Sequence, residues 1–229
     1  MARCTVVALG VLLAANLAAG SIISYQGSLS GSGLGGSGTW IAENPQFSWT
    51  VTEEDSGLWH YQYTLSVSHG DISHLILETP GDFTSPDVMN LSGPVSSWEL
   101  GTYSATSNGN SNPGMPAPIH GVKFNISSGT SVTLAFDSPW MPTWGDFYSK
   151  GGQTGGAWNA LWNAGVTTPD PVGNRDLPGY VPASDGSYMF KILVPGTLAE
   201  GVLPGPATVS LMIIGMAAMA FRRVRRWPS

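Results

Sequence analysis

Four tryptophans in the C-terminal half of the chain lie close in sequence to polar residues that can bond sugar hydroxyls. The tryptophans lie in Gly- and Pro-rich surroundings, and the set consists of Trp140, Trp144, Asp146, Trp158, Trp162 and Asn163. Aromatic rings stack on the apolar faces of sugars, and carboxylates and amides bond their hydroxyls. These six residues are therefore candidates for a glycan-binding loop. The alternative is that the four indole rings close one end of a hydrophobic core.

The sequence contains no arrangement that identifies a catalytic residue. Glu53 and Glu54 are adjacent, so on an extended segment they point to opposite sides and cannot flank one glycosidic bond. Leu29 stands where a nucleophile elbow would require serine, in the stretch 27–31. We expect the protein not to be an enzyme. The alternative is a secreted glycan-active enzyme of the glycoside hydrolase or lyase type.

Metal ligands are equally sparse. The chain has four histidines, which are His60, His69, His74 and His120. A site shared between them would require two strands to bring distant residues together, which their spacing does not indicate. Asp170, Asn174 and Asp176 offer the oxygen ligands that calcium prefers, but their spacing differs from an EF-hand and Arg175 would oppose a cation. We therefore expect no cofactor, with a structural calcium ion in this loop as the alternative.

Charge is distributed unevenly along the 229 residues, whose formal net charge is −6. All acidic residues lie between Glu43 and Glu200, whereas Arg3 and the arginines of 222–226 supply five of the nine basic residues. An acidic middle excludes nucleic acid as a partner, because nucleic-acid binding requires a basic surface. Basic ends beside apolar runs indicate a membrane as a partner.

Residues 1–20 have the layout of a secretory signal peptide. Arg3 precedes an apolar run from Val6 to Leu17, and the small residues 18–20 follow it. This run is shorter than the roughly 17–25 residues that span a bilayer, so we expect cleavage after Gly20 rather than a retained anchor. Cys4 is the only cysteine and would leave with the signal peptide, so the mature protein would have no disulfide or thiolate ligand.

Residues 203–229 combine two prolines, a short apolar segment and a basic end. Pro204, Gly205 and Pro206 precede an apolar stretch at about 207–221, which we predict to be a short transmembrane helix. An Arg-rich tail at 222–226 follows at once. Arginines are costly to move through lipid, so this tail should stay in the cytoplasm and the preceding domain outside it.

This three-part tail resembles the PEP-CTERM sorting signal of Gram-negative and related bacteria. The resemblance implies recognition by a membrane protease of the exosortase type, followed by transfer to the cell surface or release. The residues that would carry this recognition are Pro204, Gly205, Pro206, Arg222, Arg223, Arg225 and Arg226. Gly205 replaces the acidic residue that the family has between its prolines. A plain C-terminal membrane anchor is the alternative.

Several stretches of the middle region are also similar to the ectodomains that precede such signals. They include Trp59-x-Tyr61-x-Tyr63 and the segment from Trp144 to Tyr148. This similarity implies a location and an all-β fold, and it transfers no active site.

Hydrophobic periodicity independently predicts strands in the middle region. From Trp59 to Val67, apolar and polar residues alternate over nine positions, which is typical of a half-buried strand. Other strands are predicted at 47–51, 74–78, 121–126, 131–136 and 188–194. Because Gly, Pro, Asn and Asp clusters separate them, residues 41–200 are predicted to form an antiparallel β-sandwich or jelly roll. Residues 21–40 are predicted to be a Gly/Ser-rich entry segment, in which 28–38 should be flexible.

Together these features predict an exported protein that passes through a membrane-inserted precursor to the cell surface or the extracellular space. Its expected role is structural or adhesive, within an extracellular polysaccharide matrix.

Overall fold

The computed structural model describes residues 23–106, 112–168 and 184–198. The signal peptide at 1–20, the loop holding Asp170, Asn174 and Asp176, and the sorting signal at 203–229 with its prolines and arginines lie outside the described residues. Within the described ranges the protein is all-β: no α-helix is present and every strand pairing is antiparallel, which confirms that part of the prediction. None of the described segments is an apolar helix of membrane-spanning length.

The strands are numbered in chain order. They are β1 (Ser24–Ser30), β2 (Leu34–Ser37), β3 (Gln46–Glu53), β4 (Trp59–Ser66), β5 (Ile72–Glu78), β6 (Met89–Ser92), β7 (Val95–Tyr103), β8 (Ile119–Ile126), β9 (Ser131–Ser138), β10 (Trp140–Gly145), β11 (Phe147–Thr154), β12 (Ala157–Asn163) and β13 (Ile192–Leu198). Three short 3-10 turns occupy Gly31–Gly33, Trp40–Glu43 and Ser85–Asp87.

Two large sheets enclose one hydrophobic core in a β-sandwich-like arrangement. The five-stranded sheet has the order β1-β3-β4-β9-β6, the six-stranded sheet has the order β2-β12-β11-β5-β8-β7, and β10 pairs with β13. The alternation in β4 has the predicted effect: Trp59, Tyr61, Tyr63 and Leu65 are at most 3% exposed. Phe47 of β3 stacks on Phe147 of β11, with ring centroids 4.0 Å apart. This contact joins the inner faces of the two sheets.

The prediction of flexibility is wrong for residues 28–30 and 34–37, which belong to strands β1 and β2. Glycine is needed here for close packing. A Cβ on Gly27 would overlap the ring of Trp49, and a Cβ on Gly35 would overlap the ring of Trp162. Glycine lets a large ring lie directly against the strand backbone, so a composition typical of linkers instead marks strands packed beneath tryptophans.

The strand predicted at 188–194 begins later than expected. Tyr188 and Lys191 form an isolated bridge, and Met189 and Phe190 between them have φ values of 48° and 59°. Two successive residues with positive φ form the tight turn that suits a hairpin. The regular strand β13 therefore starts only after this turn, at Ile192.

A second, smaller core covers part of the outer face of the six-stranded sheet. Its buried members are Ile76, Tyr103, Met115, Ile119, Tyr148, Ala160 and Val166. His74 of β5 is only 4% exposed and its ring lies 6.0 Å from that of Tyr148. Burial, and then the positive charges of Lys123 and Lys150, lower the pKa of His74 to about 3.

The low pKa of His74 predicts a loss of stability in mild acid. The unfolded chain binds a proton at this histidine below pH 6.5, whereas the folded protein does not until about pH 3. The contribution of His74 to the free energy of unfolding is therefore complete above pH 6.5 and falls by about 1.4 kcal/mol per pH unit below it. At pH 5 the loss is about 2 kcal/mol. Urea unfolding of wild type and H74Q between pH 7 and pH 4 measures this difference. Parallel stability curves for the two proteins would contradict it.

Candidate functional site

The outer face of the five-stranded sheet carries an array of mostly uncharged polar side chains, which we call the hydroxyl face. Its residues are Ser24, Gln26, Ser28 and Ser30 on β1; Gln46, Ser48, Thr50 and Thr52 on β3; His60, Gln62, Thr64 and Ser66 on β4; and Ser131, Thr133, Ala135 and Asp137 on β9. These positions alternate with the buried residues of the same strands, because successive side chains of a strand point to opposite faces. No lysine or arginine belongs to the array.

Strand register aligns these residues in rows across the sheet. In one row Ser28 lies opposite Ser48, which lies opposite Thr64, which lies opposite Thr133. Hydroxyl groups bond across neighbouring strands within the rows: Thr64 bonds Thr133 at 2.8 Å and Ser66 bonds Ser131 at 2.8 Å. The hydroxyl face is therefore a regular, internally bonded surface.

A groove of about 500 Å³ runs over the β1, β3 and β4 part of the hydroxyl face. Its lining includes Gln26, Thr50, Gln62 and Thr64, and residues 184–186 form one wall. That wall is held against β1 by a 2.8 Å hydrogen bond from the Ser28 N–H to the Asp185 carbonyl. Within the described part of the chain, no other side chain hydrogen-bonds Gln26, Thr50 or Gln62. Their amides and hydroxyl can therefore donate to and accept from a polar ligand.

At the end of the hydroxyl face, three ionisable side chains meet. Candidate ligand atoms of Glu54, His60 and Asp137 all lie within 4.8 Å of one another. His60 Nδ1 is 2.6 Å from one oxygen of Asp137, and Asn90 donates to its other oxygen at 2.6 Å. Among the described residues this group has the donors to hold a divalent cation, although both Asp137 oxygens already accept hydrogen bonds. His60 and Asp137 are widely separated in the sequence, and the pairing of β4 with β9 places them opposite each other.

The histidines do not gather at one site. His60 lies on the five-stranded sheet and His74 on the six-stranded sheet. His69 contacts Glu43 at 3.1 Å, and His120 bonds the Thr102 hydroxyl at 2.9 Å. These are the ordinary hydrogen bonds expected of strand and turn histidines.

The structure does not assemble the four predicted sugar-stacking tryptophans into one loop. They lie on strands: Trp140 and Trp144 on β10, and Trp158 and Trp162 on β12. Trp140 is 4% exposed and Trp144 is 6% exposed, so neither ring can stack on a ligand, which corrects the prediction for both. Trp162 is half-buried and stacks on Tyr148. Trp158 is 37% exposed, with the Lys150 ammonium 4.3 Å from its ring centroid.

The polar members of the predicted glycan site, Asp146 and Asn163, are buried as well. Asp146 is 6% exposed and Asn163 is fully buried, so the prediction that they contact a sugar is corrected too. Asn163 donates to Asp146 at 2.6 Å, and Lys191 lies 2.9 and 3.0 Å from the two Asp146 oxygens. This contact could not be predicted from residue spacing, because Lys191 follows Asp146 by 45 positions.

No family model, curated protein or solved structure matches the chain. The polar half of the alternation in β3 and β4 was the sequence signal for the hydroxyl face. Sequence reasoning passed over it because serine, threonine and glutamine on one face of a strand usually indicate only solvent exposure.

Proposed function

We propose that this protein is an exported, non-catalytic surface protein that binds neutral polysaccharide through its hydroxyl face. The observation that carries the proposal is the groove of about 500 Å³ lined by the side chains of Gln26, Thr50, Gln62 and Thr64. Sugars present many hydroxyl groups at short intervals, and amide and hydroxyl side chains both donate to and accept from them. A role in the cohesion of an extracellular matrix fits such a binding face.

Charge supports a neutral rather than an acidic polysaccharide. Between residues 21 and 203 the chain has 15 acidic and four basic residues, so the mature protein would repel polyanions. The contact would rest on uncharged groups, and its strength should therefore depend little on salt.

The route to the surface is part of the same proposal. The signal peptide at 1–20 would direct export, and the PEP-CTERM-like tail at 203–229 would hold the precursor in the membrane for an exosortase-type protease. We expect protein recovered from the cell surface to begin near residue 21 and to have lost the Arg-rich tail. Intact-mass measurement checks this, and a recovered form that starts at Met1 and ends at Ser229 would contradict it.

The binding proposal predicts the effect of changing the floor of the groove. Thr50 and Gln62 are cross-strand neighbours, so T50V/Q62L removes two bonding groups while keeping side chains of similar size. We expect binding to fall about tenfold, which corresponds to about 1.4 kcal/mol. Sedimentation with insoluble cellulose, β-1,3-glucan and mannan measures it, with a soluble polyuronate as the acidic comparison.

The matched control for this experiment is Q153L, which removes an exposed glutamine from the six-stranded sheet instead. It should bind as wild type does. Binding by wild type should also change less than about twofold between low and high salt. Failure of wild type to bind any of the neutral polysaccharides, or equal binding by T50V/Q62L, would contradict the proposal.

A glycan-active enzyme is the second candidate, favoured by the approach of Glu54 to Asp137 beside the hydroxyl face. Two carboxyl groups that flank a sugar bond can act as acid and base or as nucleophile. The same incubations distinguish the two functions. Soluble oligosaccharides released by wild type but not by E54Q would favour the enzyme, whereas bound and unchanged polysaccharide favours the binding protein.

A further inference from the structure

Three buried side chains with complementary chemistry meet between the ends of β10, β12 and β13. Lys191 is 1% exposed, Asp146 is 6% exposed and Asn163 is fully buried. Lys191 Nζ and Asn163 Nδ2 both bond the same Asp146 oxygen, Oδ1, at 2.9 and 2.6 Å. The amine of Lys191 and the amide of Asn163 are thus separated by one carboxylate oxygen.

The carbonyl side of the Asn163 amide is also engaged. The backbone N–H of Phe147 donates to Asn163 Oδ1 at 2.9 Å. A fixed donor on a carbonyl oxygen polarises that carbonyl and stabilises the negative charge that develops when a nucleophile adds to its carbon. The amide oxygen of Asn163 therefore accepts a hydrogen bond from the Phe147 N–H, while its amide nitrogen lies against the Asp146 carboxylate, which can act as acid and base.

From this arrangement we infer that Lys191 and Asn163 form an intramolecular isopeptide bond, with Asp146 moving the protons. The site then contains a nucleophile at Lys191 Nζ, an electrophile at Asn163 Cγ, a proton carrier at Asp146 and an oxyanion donor at the Phe147 N–H. This modification is independent of what the hydroxyl face binds.

The reaction balances without any further reagent. Asp146 accepts a proton from the Lys191 ammonium, and the neutral amine adds to Asn163 Cγ. Asp146 returns the proton to Nδ2, the Cγ–Nδ2 bond breaks, and the nitrogen leaves as ammonia. Nζ still carries one proton more than an amide nitrogen holds, and the ammonia takes this proton and leaves as ammonium. The Nζ–Cγ bond has formed, the Asp146 carboxylate is restored, and no atom is oxidised or reduced.

The surroundings favour this chemistry. Lys191, Asp146 and Asn163 are at most 6% exposed, so the site is shielded from water. Because the fold holds the two reacting groups next to each other, the step is effectively unimolecular and does not require them to meet by diffusion.

Backbone geometry holds the nucleophile in position. Lys191 follows directly after the turn in which Met189 and Phe190 have positive φ, and its N–H bonds the Tyr188 carbonyl at 2.7 Å. Non-glycine residues in this conformation are strained and persist only where the surroundings hold them. A Cβ on Gly165 would overlap the Met189 carbonyl, so this turn is packed tightly against the end of β12.

The experiment is peptide mapping of the wild-type protein, purified in folded form from cells expressing the full chain. Trypsin cuts after Lys150, Arg175 and Lys191, so unlinked protein yields separate peptides 151–175 and 176–191. In linked protein, Asn163 of peptide 151–175 is joined to Lys191 of a longer peptide that begins at residue 176, because trypsin cannot cut after the linked Lys191. The joined product is lighter than the two separate peptides by one ammonia, about 17 Da. We expect the linked form in most molecules.

The reaction needs the folded site. A chain that is synthesised and kept in strong denaturant should therefore show no bond between Lys191 and Asn163. D146N keeps the size of the side chain but removes the proton carrier, and its peptides should be unlinked. The wild-type result does not depend on how well this variant folds. Wild type that yields, in most molecules, peptide 176–191 ending at a free Lys191 and peptide 151–175 with intact Asn163 would overturn the inference. A loss of water with the link at Asp146 would overturn it too, because Asp146 would then be the electrophile.

Discussion

Replacing Lys191 by methionine is expected to lower the free energy of unfolding by about 3–5 kcal/mol, among the largest effects of any single substitution in this protein. Methionine fills much of the same volume but supplies no donor to Asp146. The carboxylate is 6% exposed and would remain buried opposite an apolar side chain. Removing one partner of a buried ion pair costs more than the pair contributes, because the other charge is left without compensation.

The matched control neutralises both partners. D146N/K191M leaves no charge in the site, so we expect it to be more stable than K191M. Neither variant can form the Lys191–Asn163 bond, so the comparison between them isolates the cost of the unpaired Asp146 carboxylate. Chemical denaturation of wild type and both variants at pH 7 measures the differences. K191M as stable as wild type, or a double variant no better than K191M, would show that the carboxylate is not confined as the structure has it.

Truncation of Trp40 to alanine is the second change with a large expected effect. The indole ring is fully buried, and its N–H donates to the His69 carbonyl at 2.8 Å. A Cβ on Gly151 would overlap the same ring, so the ring lies directly against β11. Removing a packed aromatic ring costs about 3–5 kcal/mol, since it leaves a cavity and an unpaired carbonyl.

Thermal unfolding provides the measurement for W40A. For a domain of this size about 1 kcal/mol shifts the midpoint by roughly 2–4 °C, so we expect a decrease of about 10 °C. W158A is the control, because Trp158 is 37% exposed and its removal should lower the midpoint by less than about 3 °C. Equal decreases for the two variants would contradict the burial of Trp40.

The strands with clear alternation were the part of the fold that could be predicted from sequence. Trp59 to Val67 shows one apolar and one polar face, and the apolar residues of this stretch lie in the core. Strands β1 and β2 were missed. Their glycines accommodate rings from paired strands that are distant in the sequence, and such close approach leaves no local periodicity. Strands β10 and β12 were missed for a similar reason, since tryptophan among Gly and Pro also indicates surface loops.

The functional features depended even more on tertiary structure. The hydroxyl face exists only because register places Ser28, Ser48, Thr64 and Thr133 in one row. Residues this far apart in sequence share no spacing rule that would connect them. The same is true of Lys191 and Asn163, whose contact with Asp146 follows from the way three strand ends converge.

The regularity of the hydroxyl face has a geometric consequence. Neighbouring strands lie about 4.8 Å apart, and residues on one face recur about every 6.8 Å along a strand. The four aligned strands therefore present a two-dimensional lattice of bonding groups with fixed repeats. A ligand that is itself periodic, such as parallel chains in a crystalline fibre, can meet this lattice at many points at once, whereas a single flexible chain in solution meets only a few. If the hydroxyl face binds polysaccharide as proposed, binding should therefore depend on the order of the polysaccharide as well as on its chemistry.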